Sequence, residues 1–365
     1  MLLPGDPAPY FHAEALGGNP RYAFDTAAGR PVLLLFLGSA GWPPSTEALA
    51  TIARYRAVFD DVRANVFGVS IDPTDVTQGR IAPDLPGVRW FVDRDLAVSR
   101  LYGAVLGAEG EKSRYLPHWL VLDPTLRVVS AHPIERGEAA IASLTDLVEH
   151  PEEPPAAPVL VVPRVFDRDL CGRLIGYYDA RGGEESGFMR EENGITVAKL
   201  DHAHKKRADC LIEDTGLLGE ARARLNRFLR PQILKAFQFE VTRVERWMVA
   251  CYDGDADGGG GHFRAHRDNT TKGTAHRKFA CTINLNAEDC EGGDLSFPEF
   301  GQRTYRAPTG GAVIFSCSLL HEARRVTKGK RYAFLPFFYD EAGAAVREAN
   351  TAFVSADLAG YRASA

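Results

Sequence analysis

Cysteine is missing from the first 170 residues; all six lie between Cys171 and Cys317. That gap excludes thiol chemistry and a disulfide framework from the first part of the chain. The six that exist form no C-x-x-C pair. Cys251 in MVACY and Cys281 in FACTINL sit in apolar runs, where a reduced and buried thiol is expected. No run of 18 apolar residues is present, so no helix is expected to cross a membrane. Basic charge is not in excess either: 43 Lys and Arg stand against 48 Asp and Glu, a formal net charge of -5. This gives no reason to expect a nucleic-acid partner. The opening MLLPGDPAPYF has no basic segment followed by an apolar one, so no secretory leader is expected. We expect a cytoplasmic chain with reduced thiols, in which the sequon-like Asn269-Thr270-Thr271 carries no meaning. No internal repeat is found.

What is present divides in two. A chain of 365 residues exceeds the roughly 100–200 residues typical of one domain. Its 45% apolar and 25% charged residues are ordinary for a globular protein. HPEEPPAAP, residues 150–158, combines prolines, acids and small residues without apolar periodicity and predicts a linker. Domains are therefore expected over 1–149 and 159–365.

In the first, PVLLLFLG (31–38) and ANVFGVSID (64–72) read as buried strands, and WLVLDPTLRVVSA (119–131) as a hairpin around Asp123-Pro124. Between the two strands, STEALATIARYRAVFDD opens on a Ser/Thr capping pattern and keeps helical spacing. Strand, helix, strand and hairpin in that order predict an α/β layer around a mixed sheet. After the linker, VLVVPRVFDRDLCGRLIGYYDAR predicts a strand and then a helix capped by Asp167 or Asp169, with a second helix near 216–236. From 238 onward, short apolar runs separated by Gly and Pro predict a sandwich or double-stranded barrel.

HFRAHRDN, residues 262–269, carries the chemistry. Side chains at i and i+2 of an extended segment point to one face, so His266 and Asp268 can converge. His321 follows the apolar run IFSCSLL. Two histidines and a carboxylate make the facial triad of non-haem Fe(II) oxygenases, which leaves positions open for other ligands. Arg331, at the start of the next apolar run, suits a bidentate pair with a ligand carboxylate. A zinc hydrolase can use the same ligand types, but it would leave Arg331 unexplained.

The pieces VPRVFDRDLCGRLI, CYDGDADGGGGHFRAHRDN, TINLN, EGGDLSF, APTGGAVIFSCSLLHE and VTKGKRYAF, in this order, resemble the prolyl-4-hydroxylase-like branch of the 2-oxoglutarate/Fe(II)-dependent dioxygenases over about Val159 to Asp340. The resemblance implies an α+β double-stranded β-helix (jelly roll). It also implies Fe(II) on His266, Asp268 and His321, and the C5 carboxylate of 2-oxoglutarate on Arg331, with Tyr252 in the same cosubstrate pocket. The implied activity consumes 2-oxoglutarate and O2, with ascorbate as a candidate reductant, and hydroxylates an unactivated C–H bond. The substrate would be a small molecule or a prolyl or other amino-acid or peptidyl group. A non-catalytic metal or 2-oxoglutarate sensor is the alternative.

Other polar residues nearby are expected to do less. His262 and His276 read as loop or supporting residues, and Arg277 and Lys278 as the flank of a strand. His202 and His204 lie in KLDHAHKKRADC, read as a solvated basic loop, with the rim of a pocket as the alternative. The glycine run 258–261 reads as a flexible loop, since no strand-to-helix context follows it.

GDPAPYFHAEALGG, PVLLLFLGSAGWPPSTEAL, VFGVSIDP and LPHWLVLDPTLRVV resemble a peroxiredoxin-type, thioredoxin-like α/β domain over about residues 3–148. Ser45 stands where that family has its reactive cysteine, Trp42 where it has threonine, and Gly38 where it has proline. Pro117 aligns with a position that is often a cis-proline. A hydroxyl cannot perform thiol peroxidation, so this domain is expected to act as scaffold, recognition surface or oligomerisation module, through a second copy or a protein partner.

Overall fold

The computed structural model describes residues 2–107, 114–151, 155–255 and 259–361, with side chains as far as Leu358. Linker residues 152–154 and Gly258 of the glycine run lie outside the described residues. The chain forms two compact units: residues 1–156 with 298–302, and residues 157–297 with 303–365.

The first unit is built on a five-stranded sheet. Its strands are β1 (Val32–Gly38), β2 (Asn65–Ser70), β3 (Val88–Val92), β4 (His118–Leu122) and β5 (Val128–Pro133), in the order β3-β2-β1-β4-β5. β1 to β3 are parallel, and the predicted hairpin supplies the antiparallel β4 and β5. Every residue of β1 is buried, which is why VLLLFLG shows no alternation: both faces of a central strand are covered. Leu33, Leu35 and Leu37 pack with Ala48 and Ile52 of helix α1 (Pro43–Arg54) and Ile141 and Leu144 of helix α2 (Gly137–Glu149). The aromatic side chains Phe11, Phe24, Phe67 and Phe91 form a separate stack, with Phe67 and Phe91 parallel at 5.4 Å. This is the thioredoxin-like α/β fold expected.

Helix α1 departs from expectation in its start. It begins at Pro43, two residues before the capping pattern, and Trp42 makes no side-chain cap. Proline fits the first helical turn, where its missing N–H is not needed. Ser45 therefore lies inside the helix, and its hydroxyl donates to the Leu37 carbonyl at 2.7 Å. The Leu116–Pro117 bond is trans; among the described residues the cis bond is Leu85–Pro86.

The second unit is a jelly roll of two sheets with helices beside them. Asp167, one of the two expected caps, accepts from the Leu170 N–H at 2.9 Å and starts helix α3 (Arg168–Arg181). The predicted second helix is α4 (Thr215–Arg224) and α5 (Arg230–Phe237), joined through a π-helical turn at Leu225–Leu229. The larger sheet includes β6 (Leu160–Val162), β7 (Ala208–Leu211), β8 (Met248–Asp253), β10 (Phe279–Asn284), β12 (Ala312–Ser316) and β14 (Lys330–Phe334). The smaller sheet includes β9 (His262–His266), β11 (Leu295–Ser296) and β13 (His321–Ala323). Leu170, Leu174, Leu225, Ile233, Ile283, Ile314 and Phe334 form the core between helices and larger sheet.

Gly260 and Gly261 serve close approach of chains. A Cβ on Gly260 would lie 1.8 Å from the Val326 carbonyl oxygen, and one on Gly261 would lie 2.7 Å from the Tyr252 Cα. Gly261 also donates its N–H to Asp253 at 2.7 Å, so this part of the run is fixed strand entry where a loose loop was expected.

Candidate active site

Strand pairing sets the first two side chains together. β9 and β13 run antiparallel with His266 directly opposite His321. Asp268 follows just past the end of β9, with its N–H donating to the Cys317 carbonyl at 3.0 Å. The His266 Nε2 lies 3.5 Å from Asp268 Oδ1, and the His321 Nε2 lies 3.3 Å from Asp268 Oδ2. One ligand atom from each of the three falls within 4.8 Å of the other two. All three side chains are mostly shielded from solvent.

The ring orientations say what these atoms are. His266 Nδ1 is 2.7 Å from the Arg264 carbonyl, and His321 Nδ1 is 3.0 Å from the Leu319 carbonyl. Carbonyls only accept, so in the neutral rings each Nδ1 holds the proton and each Nε2 presents a lone pair. Burial first, and His321 second, push the His266 pKa down to about 4, which keeps this ring neutral at pH 7. With both rings neutral, as a bound metal requires, two lone pairs and a carboxylate face one point, an arrangement that a cation relieves. Second partners that fix the tautomer of a histidine are typical of metal sites. Phe263 stacks on His266 at 3.5 Å and Phe315 lies 4.5 Å from His321, which limits ring rotation.

The larger sheet contributes Tyr252, which lines the same pocket, and Arg331, its register partner on β14. The Arg331 guanidinium lies 5.1 Å from the Tyr252 ring centre and donates to Asn284 Oδ1 at 3.1 Å. It is only 5% exposed. Burial lowers its pKa, and among the described residues no carboxylate stands within ion-pair distance to offset that cost. A buried guanidinium with a neutral amide and an aromatic face for company is suited to an incoming carboxylate.

For a second basic group, sequence reasoning favoured a solvated loop over the rim of a pocket. Lys205 and Arg207, read as part of a solvated loop, are 4% and 7% exposed. Lys205 Nζ donates to Ser186 Oγ at 2.7 Å and to the Gly187 carbonyl at 2.5 Å. Arg207 pairs with Asp209 at 2.7 Å, and its Nη1 donates to Tyr252 Oη at 3.3 Å. Arg246, at positive φ, donates to the same Asp209 at 3.2 Å. The signal was present in the alternation Lys205, Arg207, Asp209: charges of both signs at every second residue of an extended segment match a buried polar face better than a loop. The exposed part of the loop is His202, which pairs with Glu185, whereas His204 sits 4.4 Å from the Phe188 ring.

The remaining histidines stay outside the cluster. His262 Nδ1 meets the Gly260 carbonyl at 3.0 Å. His276 and Arg277 both bond Glu245, at 2.7 and 2.6 Å, and Arg277 reaches the Asp268 carbonyl at 3.4 Å. Arg277, expected only to flank a strand, thus ties the backbone of Asp268 to a buried ionic network. In the first unit, the Ser45 side chain is fully buried and Trp42 lies over Gly38, where a Cβ would come within 2.3 Å of its ring.

Comparison with known proteins agrees with this division. The 2OG-Fe(II) oxygenase superfamily profile matches residues 247–339, and the AhpC/TSA family profile matches residues 4–131. A PKHD-type hydroxylase of Pseudomonas fluorescens is 32% identical over 194 residues, covering 50% of this chain and 78% of that protein. A second, from a Polaromonas species, is 33% identical over 92 residues, covering 23% of this chain and 40% of that protein. Among solved structures, a prolyl hydroxylase of Trichoplax adhaerens in complex with a hypoxia inducible factor peptide is 18% identical, with a TM-score of 0.41, covering 52% of this chain and 87% of that one. A peroxidoxin of Mycobacterium tuberculosis is 20% identical, with a TM-score of 0.33, covering 40% and 99%. Among the described residues no helix is long and apolar enough to cross a membrane. The chain belongs to the 2OG-Fe(II) oxygenase superfamily, as a 2-oxoglutarate-dependent dioxygenase whose N-terminal domain is of the peroxiredoxin-like thioredoxin fold.

Proposed function

We propose that this protein is a hydroxylase in which His266, Asp268 and His321 hold Fe(II), while Arg331 and Tyr252 hold the C5 carboxylate of 2-oxoglutarate. The observation that carries the reading is the convergence of two Nε2 lone pairs and a carboxylate within 4.8 Å. When bound, Fe(II) with 2-oxoglutarate and O2 supplies the oxidation: the keto acid leaves as succinate and CO2, and one oxygen atom enters a substrate C–H bond. The chain's own residues orient and enclose. The Arg264 and Leu319 carbonyls hold the two imidazoles in one tautomer, and Arg277 holds the Asp268 backbone. Arg207 donates to Tyr252 Oη, so the phenol proton is left to donate toward the cosubstrate. Phe263, Phe315 and Phe337 line the pocket and keep water from it.

The substrate in this reading is an aliphatic C–H donor of prolyl, amino-acid or peptidyl type, and six free, buried thiols suit a cytoplasmic setting with ascorbate as reductant. The test is succinate release from 2-oxoglutarate under Fe(II), O2 and ascorbate. The parent should release succinate, and His266→Ala should fall to background. Equal rates in the two proteins would overturn the ligand assignment. Tight 2-oxoglutarate binding without oxygen consumption across a broad substrate panel would favour a sensor instead.

A further inference from the structure

The basic group around Asp209 has more positive charge than its own partners balance. Arg207 and Arg246 share the single carboxylate of Asp209, and both line the pocket that His266, Asp268 and His321 also line. Burial pushes the Asp209 carboxyl up, but Arg207, Lys205 and Arg246 outweigh it and hold it below its ordinary value, so it counts as one negative charge. Lys205 bonds only neutral oxygens among the described residues, while Asp209 bonds the two guanidiniums, so two fixed cations meet one carboxylate. Arg246 sends one nitrogen to Asp209 and to the Met248 sulfur, with the guanidinium 5.5 Å from the Phe337 ring.

Much of the rest of the pocket is apolar: Phe263, Leu295, Phe315, Leu335, Pro336 and Phe337 line it beside Tyr252 and Thr282. A surplus guanidinium at one end of an apolar pocket selects an anion with an aliphatic body, because leaving the charge unpaired there costs more than pairing it. Arg331 is a separate buried cation with its own aromatic and amide partners, and it already meets the need of the cosubstrate.

We propose that Arg207 and Arg246 bind a carboxylate of the substrate, so that the molecule hydroxylated is an aliphatic acid such as a free amino acid, and not a neutral residue inside a peptide. The proposal rests on the reading given under Proposed function. It makes Arg246 a specificity residue: it is the outer of the two guanidiniums, and Arg207 has the closer tie to Tyr252 and Asp209.

Calorimetric titration of the full chain tests this. The protein is loaded with Fe(II) and 2-oxoglutarate under argon, then titrated with the free amino acids and small aliphatic acids, each beside its carboxamide. Tripeptides with free and with amidated C-termini separate a free acid from a peptide carboxylate. At least one acid should bind about tenfold or more tighter than its amide, the size expected of a charge-assisted bond. Arg246→Gln should reduce that preference to about twofold or less, Arg246→Lys should keep much of it, and 2-oxoglutarate affinity should move by less than about twofold in both. Amides that bind as tightly as acids overturn the proposal, and they do so in the parent even if a variant fails to fold. A loss of 2-oxoglutarate affinity in Arg246→Gln, with the acid preference intact, overturns it too by placing these guanidiniums in the cosubstrate site. Failure of the parent to bind 2-oxoglutarate is a different result: it sinks the earlier reading, while the acid-to-amide ratio is still read on the Fe(II)-loaded protein.

Discussion

Each unit buries an aspartate close to its most polar loop, and the two are treated in opposite ways. In the first unit Asp75 is completely buried and fully answered: the Ala40 N–H at 2.8 Å, the Ser70 hydroxyl at 2.7 Å and Arg80 at 2.8 Å all donate to it. In the second, Asp268 faces the Nε2 atoms of two imidazoles whose Nδ1 atoms are tied to backbone carbonyls. A satisfied buried carboxylate is a structural part. A carboxylate confronted with further acceptors has been left with a need, and a cation meets it. The same contrast runs through the cations: Arg80 has two carboxylates within reach, whereas Arg331 has an amide and a ring. The difference between the two units is visible in whether these buried polar atoms are mutually satisfied.

The largest expected effects come from removing each aspartate. Asp75→Ala should destabilise the first unit by about 3–5 kcal/mol, because Arg80 and two backbone or hydroxyl donors lose a buried partner. Hydrogen exchange in β1 and β2 should accelerate accordingly. Asp268→Ala should act on the second unit through its metal site. It should abolish stoichiometric iron binding, measured by elemental analysis, with at least about a hundredfold loss of affinity, given that even an outer partner of a ligand is worth 10–100-fold. Iron retained at parental stoichiometry by the second variant would break the comparison.

Next in size is Arg331→Met, which keeps an apolar side chain of similar length and removes the charge. Half-saturation by 2-oxoglutarate should rise roughly 10- to 100-fold, as for loss of one hydrogen bond to a charged group. Iron stoichiometry should stay at the parental level, because Arg331 pairs with Tyr252 on the sheet opposite the histidines. Equal effects on iron and on 2-oxoglutarate would indicate general loss of structure.

These residues differ in how openly the sequence displayed them. His266, Asp268 and His321 were legible because a strand repeats every second residue, and that period alone aligns two of the three. The β1, β2 and hairpin strands were legible as apolar runs bounded by turns. Lys205 and Arg207 were not, since an extended charged segment whose side chains are buried has the composition of a solvated loop. The start of α1 was misread because proline and serine both favour helix N-termini, and Pro43 took the position first. Arg277 was hidden for a third reason: its partner Glu245 lies on a distant strand, and no local pattern reports that pairing.

The smallest expected effect is the most pointed test of the first unit. Ser45→Cys restores the thiol that the peroxiredoxin-like sequence lacks, yet peroxide consumption should stay at background. The side chain at 45 has no exposed surface, and its hydroxyl is committed to the Leu37 carbonyl at 2.7 Å. A thiol in that place would be desolvated, and burial pushes thiols up in this protein, as it does at Cys281. Its neighbours do not help: Gly38 has φ +73°, which excludes the proline of the peroxiredoxin loop, and the Trp42 ring covers the space above it. A thiolate here would need both a route for peroxide and a donor to hold its charge, and this loop has been repacked to supply neither. Saturable, thiol-dependent peroxide consumption by Ser45→Cys would show that the unit had lost only one atom of its chemistry and kept the rest.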